Sequence, residues 1–191
     1  MTDTDLGDDL TGKCLIAMPD MGDPRFSGSV VFLCAYSPEG AMGLIVNKRV
    51  DGVHLTDLLD QLSIPKGDTQ DSFPIYYGGP VENGRGFVLH SLDYHSDLST
   101  MKVADTFAMT ATIDVLEDIG AGRGPQNALV LLGYAGWGPG QLEAEIASNG
   151  WLIGDVSSDV IFEAADSDKW PKALEAMGVN PAILSSSGGT A

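Results

Sequence analysis

The chain has 191 residues, 43% hydrophobic and 19% charged, enough apolar content for the core of one domain and not the profile of a disordered segment. Its 27 acidic and 10 basic residues give a formal net charge of −17, a field that repels phosphate backbones and disfavours unaided nucleic-acid binding. No apolar run nears the roughly 18 residues of a bilayer span, and the acidic 1–9 stretch lacks the regions of a signal peptide, so a cytoplasmic protein is expected.

Residues 1–12 read as a polar, flexible tail. Lys13 to Met18 forms a buried apolar strand that Pro19 ends. After a loop around Asp23 and Pro24, Ser29 to Tyr36 reads as a second strand, joined by a short turn to a third at 41–47 in an antiparallel hairpin. Leu55, Leu58, Leu59 and Leu62 recur with the spacing of an amphipathic helix. Strands are expected at 74–77 and 86–90, paired across Glu82, Asn83, Gly84 and Arg85, with a weaker strand pair around 101–103 and 106–109. Thr112 caps a helix with Val115, Leu116 and Ile119 on one face.

The run 128–132 has no polar alternation and reads as a central strand covered on both faces. It enters a loop with glycine at 136, 138 and 140, then a short helix with Leu142 and Ile146 on one side. Asn149 and Gly150 stop that helix before a strand at 151–153. Ser157 or Ser158 caps a short helix carrying Val160, Ile161 and Phe162. A last helix begins near Asp168, tolerates Pro171 in its first turn, buries Trp170, Leu174 and Met177, and stops at Gly178. A flexible tail follows Pro181. The sum is one α+β domain over 13–180 with a mixed sheet.

Cys14 and Cys34 sit inside apolar strands with no CxxC or Cys/His spacing, so buried free thiols are expected, with no zinc or redox pair. Asp20 and Asp23 lack a third ligand for a metal, and the Asp23-Pro24 step reads first as a turn. No cofactor motif is present: the loop of Gly136, Gly138 and Gly140 is neither a Walker A motif nor GxGxxG. Glycines at a helix start can expose amides to an anion, but Glu143 and Glu145 oppose one there. The same glycines also suit a tight strand-to-helix turn against Trp137. Tyr134, Trp137 and Trp151 surround the turn, and Gln141 and Glu145 fall on one helical face. His90, at a strand end, suits either a hydrogen-bonded structural role or a general base. His54 and His95 read as surface residues.

These segments resemble the AlgH family, which includes the YqgE-type bacterial proteins. The resemblance rests on Leu-Ile-Ala-Met-Pro at 15–19, Asp23-Pro24, Ser-Val-Val at 29–31 and Gly-Ala-Met-Gly-Leu-Ile-Val-Asn-Lys at 40–48. It continues through Gly-Gly-Pro at 78–80, Gly-Phe-Val-Leu-His at 86–90 and the whole 132–152 unit. It covers roughly 13–178 in order. One departure is Tyr36, where the family commonly has His. The resemblance implies a compact α+β domain with a branched, barrel-like, mostly antiparallel sheet surrounded by short helices. Members are often labelled transcriptional regulators, and no biochemical activity carries over.

The polar or amphipathic residues within these motifs, Asp23, Asn47, His90, Tyr134, Trp137, Gln141 and Glu145, are the site candidates, together with Gly79, Gly136, Gly138 and Gly140. The reading favoured is a non-enzymatic module that binds a small molecule or a protein partner, without direct nucleic-acid or membrane contact. The alternative is an enzyme acting on a small anionic metabolite held by the glycine loop, with His90 as acid/base. Oligomeric state is left open.

Overall fold

One strand, Ala128–Trp137, holds the two halves of the sheet together. The computed structural model describes residues 10–19, 22–65, 74–96, 100–104, 106–111 and 113–179. In chain order the strands are β1 (Cys14–Ala17), β2 (Val30–Ser37), β3 (Gly40–Ile45), β4 (Arg49–His54), β5 (Pro74–Tyr77), β6 (Val81–His90), β7 (Thr100–Val103), β8 (Phe107–Thr110), β9 (Ala128–Trp137) and β10 (Trp151–Gly154). The helices are α1 (Leu55–Gln61), α2 (Asp114–Gly120), α3 (Gln141–Ala147) and α4 (Asp166–Ala176), with a π-helical turn at Asp159–Glu163.

The sheet runs β10-β1-β2-β3-β9-β6-β8-β7. The first half of β9 pairs with β6 on one side and, in parallel, with β5 on the other; its end, from Ala135 to Trp137, pairs with β3 instead. A strand that exchanges neighbours along its length makes the sheet branch and curl into a half-barrel. The apolar run at 128–131 is buried on both faces, as a central strand requires. This is an α+β domain, mostly antiparallel, with short helices around it.

Three packed clusters fill the fold. Ala173 and Leu174 of α4 join Cys14, Ile16, Phe32 and Leu131 in the first. Leu55 and Leu59 of α1 meet Val115, Leu116 and Ile119 of α2 over β5 and β9 in the second. Leu142 of α3 packs with Leu15, Leu33, Trp137 and Trp151 in the third. Leu10 belongs to that third cluster, and the Gly12 amide donates to the Leu33 carbonyl at 2.7 Å. Order therefore begins before the expected end of the N-terminal tail.

Several expected features differ. β5 does not pair with β6, because β9 lies between them. The stretch expected to turn at 82–85 lies inside β6, where Glu82 has a φ of 48° and the register with β9 shifts between Val81 and Gly86. Those residues make a bulge rather than a hairpin loop. β4, absent from the sequence reading, is an edge strand whose Val50 and Val53 are half-buried. α4 begins at Asp166, two residues before Asp168, which puts Pro171 in the second turn. Trp170 is only half-buried and donates its indole N–H to the Ala17 carbonyl at 2.8 Å. Thr112, the expected cap of α2, and Asp20 lie outside the described residues, as do 1–9 and 180–191.

Candidate functional site

The corner where β9 passes into α3 carries most of the chemistry that the 132–152 motif brings together. Gly140 takes the left-handed conformation, φ 77°, at the start of α3, which glycine enters without strain. The turn aims Gln141 and Glu145 back at Trp137. One carboxylate oxygen of Glu145 accepts the indole N–H of Trp137 at 3.0 Å and that of Trp151 at 2.9 Å. The other accepts from the Gln141 amide at 3.1 Å, while the Gln141 oxygen accepts the Gly138 N–H at 3.0 Å. Charge-assisted bonds of this kind are the strong ones, and here one carboxylate fixes two tryptophans from different strands.

Phe26 closes the aromatic cluster from the loop after β1. Its ring lies 6.3 Å from Trp137, nearly stacked, and 5.6 Å edge-on from Trp151. The loop is held by Asp23, which accepts from the Arg25 guanidinium at 2.7 Å and from the Arg25 amide at 2.9 Å. Those bonds hold the Asp23 carboxyl below the usual carboxylate range. Arg25 also sits 5.6 Å above the Phe26 ring.

Between these walls lies a cleft of about 650 Å³, bounded by the 22–26 loop, Pro80 and Val81, Gly136 and Trp137, Gln141 and Glu145, and the 148–150 turn. Small-molecule sites have this scale. The cleft unites Asp23, Gly136, Trp137, Gln141 and Glu145 of the expected residues, with Gly138 and Gly140 shaping its corner. The amide of Gly138 is already committed to Gln141, which subtracts a donor from any anion site in this loop. Phe26 and Arg25 were missed from sequence, and the only hint was their place just after the Asp23-Pro24 turn.

The other expected residues lie elsewhere. His90 is fully buried; Nδ1 lies 2.8 Å from the Ser91 carbonyl and Nε2 lies 2.8 Å from the Thr110 hydroxyl. Since a carbonyl only accepts, Nδ1 carries the proton and Nε2 accepts from Thr110. Thr100 then donates to Thr110 at 2.8 Å, and the Ser96 amide to Thr100 at 2.6 Å. With a neutral imidazole the chain of donors runs one way. Burial pushes the His90 pKa down in the same sense, against the Ser91 bond and the Asp93 charge. Without solvent or cleft access, His90 is a structural link and not part of the cleft surface.

Asn47, just after β3, ties that strand's end to the start of β2 and the loop before it, accepting from the Val30 amide at 3.0 Å and donating to the Gly28 carbonyl at 2.9 Å. It borders a separate hollow beside Lys48 and Trp170. Tyr134 donates to Glu82 at 2.9 Å and meets the edge of Phe87. Gly79 is where two backbones cross: a Cβ there would lie 2.1 Å from the Tyr134 carbonyl carbon. Tyr36, in place of the family His, donates to Glu143 of α3.

A second cluster escaped the sequence reading. Lys169 of α4 is 1% exposed and donates to the Val46 carbonyl at 2.8 Å, with Asp166 at 3.1 Å and the Tyr76 hydroxyl at 3.4 Å. Tyr76 donates to Asp166 at 2.6 Å, and Arg49 reaches the other Asp166 oxygen. Burial pushes the Lys169 pKa down, and the Asp166 bond offsets part of that. The cluster fastens α4 to β3 and β5. Both thiols are buried and free, and burial pushes Cys34 up to about 12 and Cys14 higher still. Among the described residues no group of three or more His, Cys, Asp or Glu converges as a metal site. No helix among them is long and apolar enough to cross a membrane.

A curled half-barrel sheet with several short helices is the fold of the AlgH protein of solved structure. The chain belongs to the AlgH-like family, whose model matches residues 14–182. It is 55% identical to a UPF0301 protein of Ruegeria pomeroyi over 96% of this chain and 100% of that protein. It is 52% identical to a UPF0301 protein of Jannaschia sp. over 98% of each. The solution structure of the AlgH protein from Pseudomonas aeruginosa superposes with a TM-score of 0.77 at 39% identity, covering 91% of this chain and 92% of that one. A Corynebacterium diphtheriae protein shares the fold, with a TM-score of 0.72 at 20% identity over 93% and 90%.

Proposed function

We propose that this protein is a non-catalytic binding module whose recognition site is the cleft between the 22–26 loop and the β9–α3 corner. The observation that carries the reading is the commitment of Glu145. Its carboxylate is spent on Trp137, Trp151 and Gln141, so it builds a fixed aromatic wall instead of standing ready as an acid or base. The other polar side chains at the rim are Arg25, itself paired with Asp23, Ser148, which donates to the Glu145 carbonyl, and Asn149. With Asp23 and Glu145 lining the cleft and a net charge of −17, a small neutral or zwitterionic molecule with a flat apolar part suits it better than a phosphate. Regulation by such a ligand, in the reducing compartment that suits two buried free thiols, is the physiological role we infer. Direct duplex binding is not part of it: no sequence-selective gel shift is expected at about 0.15 M salt.

A thermal-shift screen of nucleosides, amino acids, aromatic acids and phosphorylated metabolites tests the reading. A ligand present at 100 times its dissociation constant stabilises by about 2.7 kcal/mol. That corresponds to a rise of roughly 5–10 °C for a domain of this size. The rise should vanish in Phe26→Ala. Turnover of any hit by the pure protein, abolished in Glu145→Gln, overturns the non-catalytic reading; so does a ligand whose effect survives Phe26→Ala as regards the cleft.

A further inference from the structure

The cleft at the β9–α3 corner holds two carboxylates that carry charge but have little capacity left to accept hydrogen bonds. Glu145 accepts two indoles on one oxygen and Gln141 on the other. Asp23 accepts the Arg25 amide and Nε on one oxygen, at 2.9 and 3.0 Å, and Nε and Nη2 on the other, at 3.3 and 2.7 Å. A carboxylate has about four lone-pair sites, so Asp23 is full and Glu145 has about one site left.

The three donors to Glu145 are neutral and leave its charge uncompensated, whereas Asp23 and Arg25 balance each other. Asp23, Arg25 and Glu145 are the ionisable residues in the lining, so the cleft as a whole is negative. It attracts a cation. A primary ammonium, however, gives up water for a site with too few acceptors for its N–H groups. A quaternary nitrogen has no N–H group and needs only the field and contact surface.

Suitable surface lines the same cleft. Phe26 and Trp137 are nearly parallel, with ring centroids 6.3 Å apart, and Pro80 and Val81 complete an apolar lining. Aromatic faces attract cations, tryptophan most strongly. Donation of the Trp137 N–H to a carboxylate pushes electron density into the indole ring and strengthens that attraction.

Arg25 supplies the complementary half. Its Nε and Nη2 are committed to Asp23, while Nη1 has no partner among the described residues. Its guanidinium lies 5.6 Å from the Phe26 ring centre, so the open edge borders the aromatic wall. A guanidinium edge is suited to a carboxylate.

We propose that the cleft takes a betaine, a small zwitterion whose quaternary nitrogen, carried on a flat ring, lies against Phe26 and Trp137 while its carboxylate bonds the open edge of Arg25. This assignment rests on the cleft being the recognition site and narrows the class of ligand it takes.

The test is isothermal titration calorimetry at about 0.15 M salt with N-methylnicotinate and two relatives that each lack one charge. Nicotinate keeps the ring and carboxylate without the methylated nitrogen, and N-methylnicotinamide keeps the cation without the carboxylate. Saturable binding of N-methylnicotinate is expected, with each relative about ten-fold weaker or more. Arg25→Gln should weaken N-methylnicotinate by about ten-fold and leave N-methylnicotinamide no weaker, with a nearly unchanged melting temperature because the Asp23 pair is exposed. Phenylalanine should bind about ten-fold more weakly than its N-trimethyl derivative. The proposal is overturned by no saturable binding of N-methylnicotinate up to about 10 mM, by equal binding of nicotinate or of phenylalanine beside its methylated counterpart, or by an Arg25→Gln variant that binds as the native chain does. A neutral aromatic ligand that Phe26→Ala abolishes, with no betaine bound, would remove this assignment and keep the cleft. N-methylnicotinate binding that Phe26→Ala leaves intact would overturn both.

Discussion

Removing the Glu145 carboxylate should loosen the whole aromatic corner. In Glu145→Ala, Trp137 and Trp151 each lose a charge-assisted bond of 3.0 and 2.9 Å, although their rings stay 6% and 2% exposed. Hydrogen bonds to charged groups contribute about 1.5–3 kcal/mol each. Water entering the cleft recovers part of that for the more open Trp137, so a net cost of about 3 kcal/mol is expected. Glu145→Gln keeps an oxygen for the two indoles. Its new amide, however, faces the Gln141 amide, which cannot turn around without giving up Gly138. That substitution should cost about 1 kcal/mol. At this size the two variants should melt roughly 6–12 and 2–4 °C lower. Urea titration followed by tryptophan emission measures both. A loss below about 1 kcal/mol for Glu145→Ala, or equal losses for the two variants, refutes the argument that the carboxylate holds the wall.

Lys169→Ala leaves Asp166 and the Val46 carbonyl with an empty space where a buried cation stood; a loss of about 3–5 kcal/mol is expected in urea titration, and a smaller one for Lys169→Met, which keeps the volume. Gly79→Ala puts a methyl group onto the Tyr134 backbone and should cost about 3 kcal/mol or more. Gly140→Ala meets open space at a φ of 77° and should cost only about 1–2. Both are read by thermal melts. The His90 pKa is lowered in the folded state from 6.5, so below that pH the unfolded chain binds more protons. Its contribution is present above pH 6.5 and is lost as pH falls through the folded pKa, so stability should fall as pH drops from 6.5, by at most about 1.4 kcal/mol per pH unit. In His90→Gln that slope should disappear. Cys14 and Cys34 should resist a thiol reagent in the native state and both react once the chain is unfolded in urea, with absorbance as the readout.

The parts legible in the sequence were those governed by local pattern. The runs at 14–17, 30–34 and 128–132 are uninterrupted because sheet and helices cover both faces, and Leu55 and Leu59 mark a helix because their spacing matches one buried stripe. Pairing over long range was not legible: nothing near 74–90 says that a strand from 128–137 will lie between its two halves. β4 was hidden because an exposed edge strand containing glycine has almost no apolar signature. The same division applies to the cleft. Trp137, Gln141 and Glu145 share one continuous motif, whereas Phe26 and Arg25 arrive from a loop more than 100 residues away. Nothing in the sequence sets Lys169 apart, and only the fold puts Val46, Tyr76 and Asp166 around it. His90 and Asn47 were singled out by residue type, and their partners Thr110, Ser91, Gly28 and Val30 reveal them as structural links.

The central claim, that the cleft beside Glu145 is where this protein meets its ligand, is tested most directly by the indole N–H resonances. The chain has three tryptophans. Trp137 and Trp151 donate to Glu145 at the cleft, while Trp170 donates to Ala17 under α4 and serves as an internal control. On titration with a compound selected by thermal shift, the account predicts that the Trp137 and Trp151 signals move together while Trp170 stays fixed. Movement of Trp170 alone, or of none of the three at saturation, would contradict it.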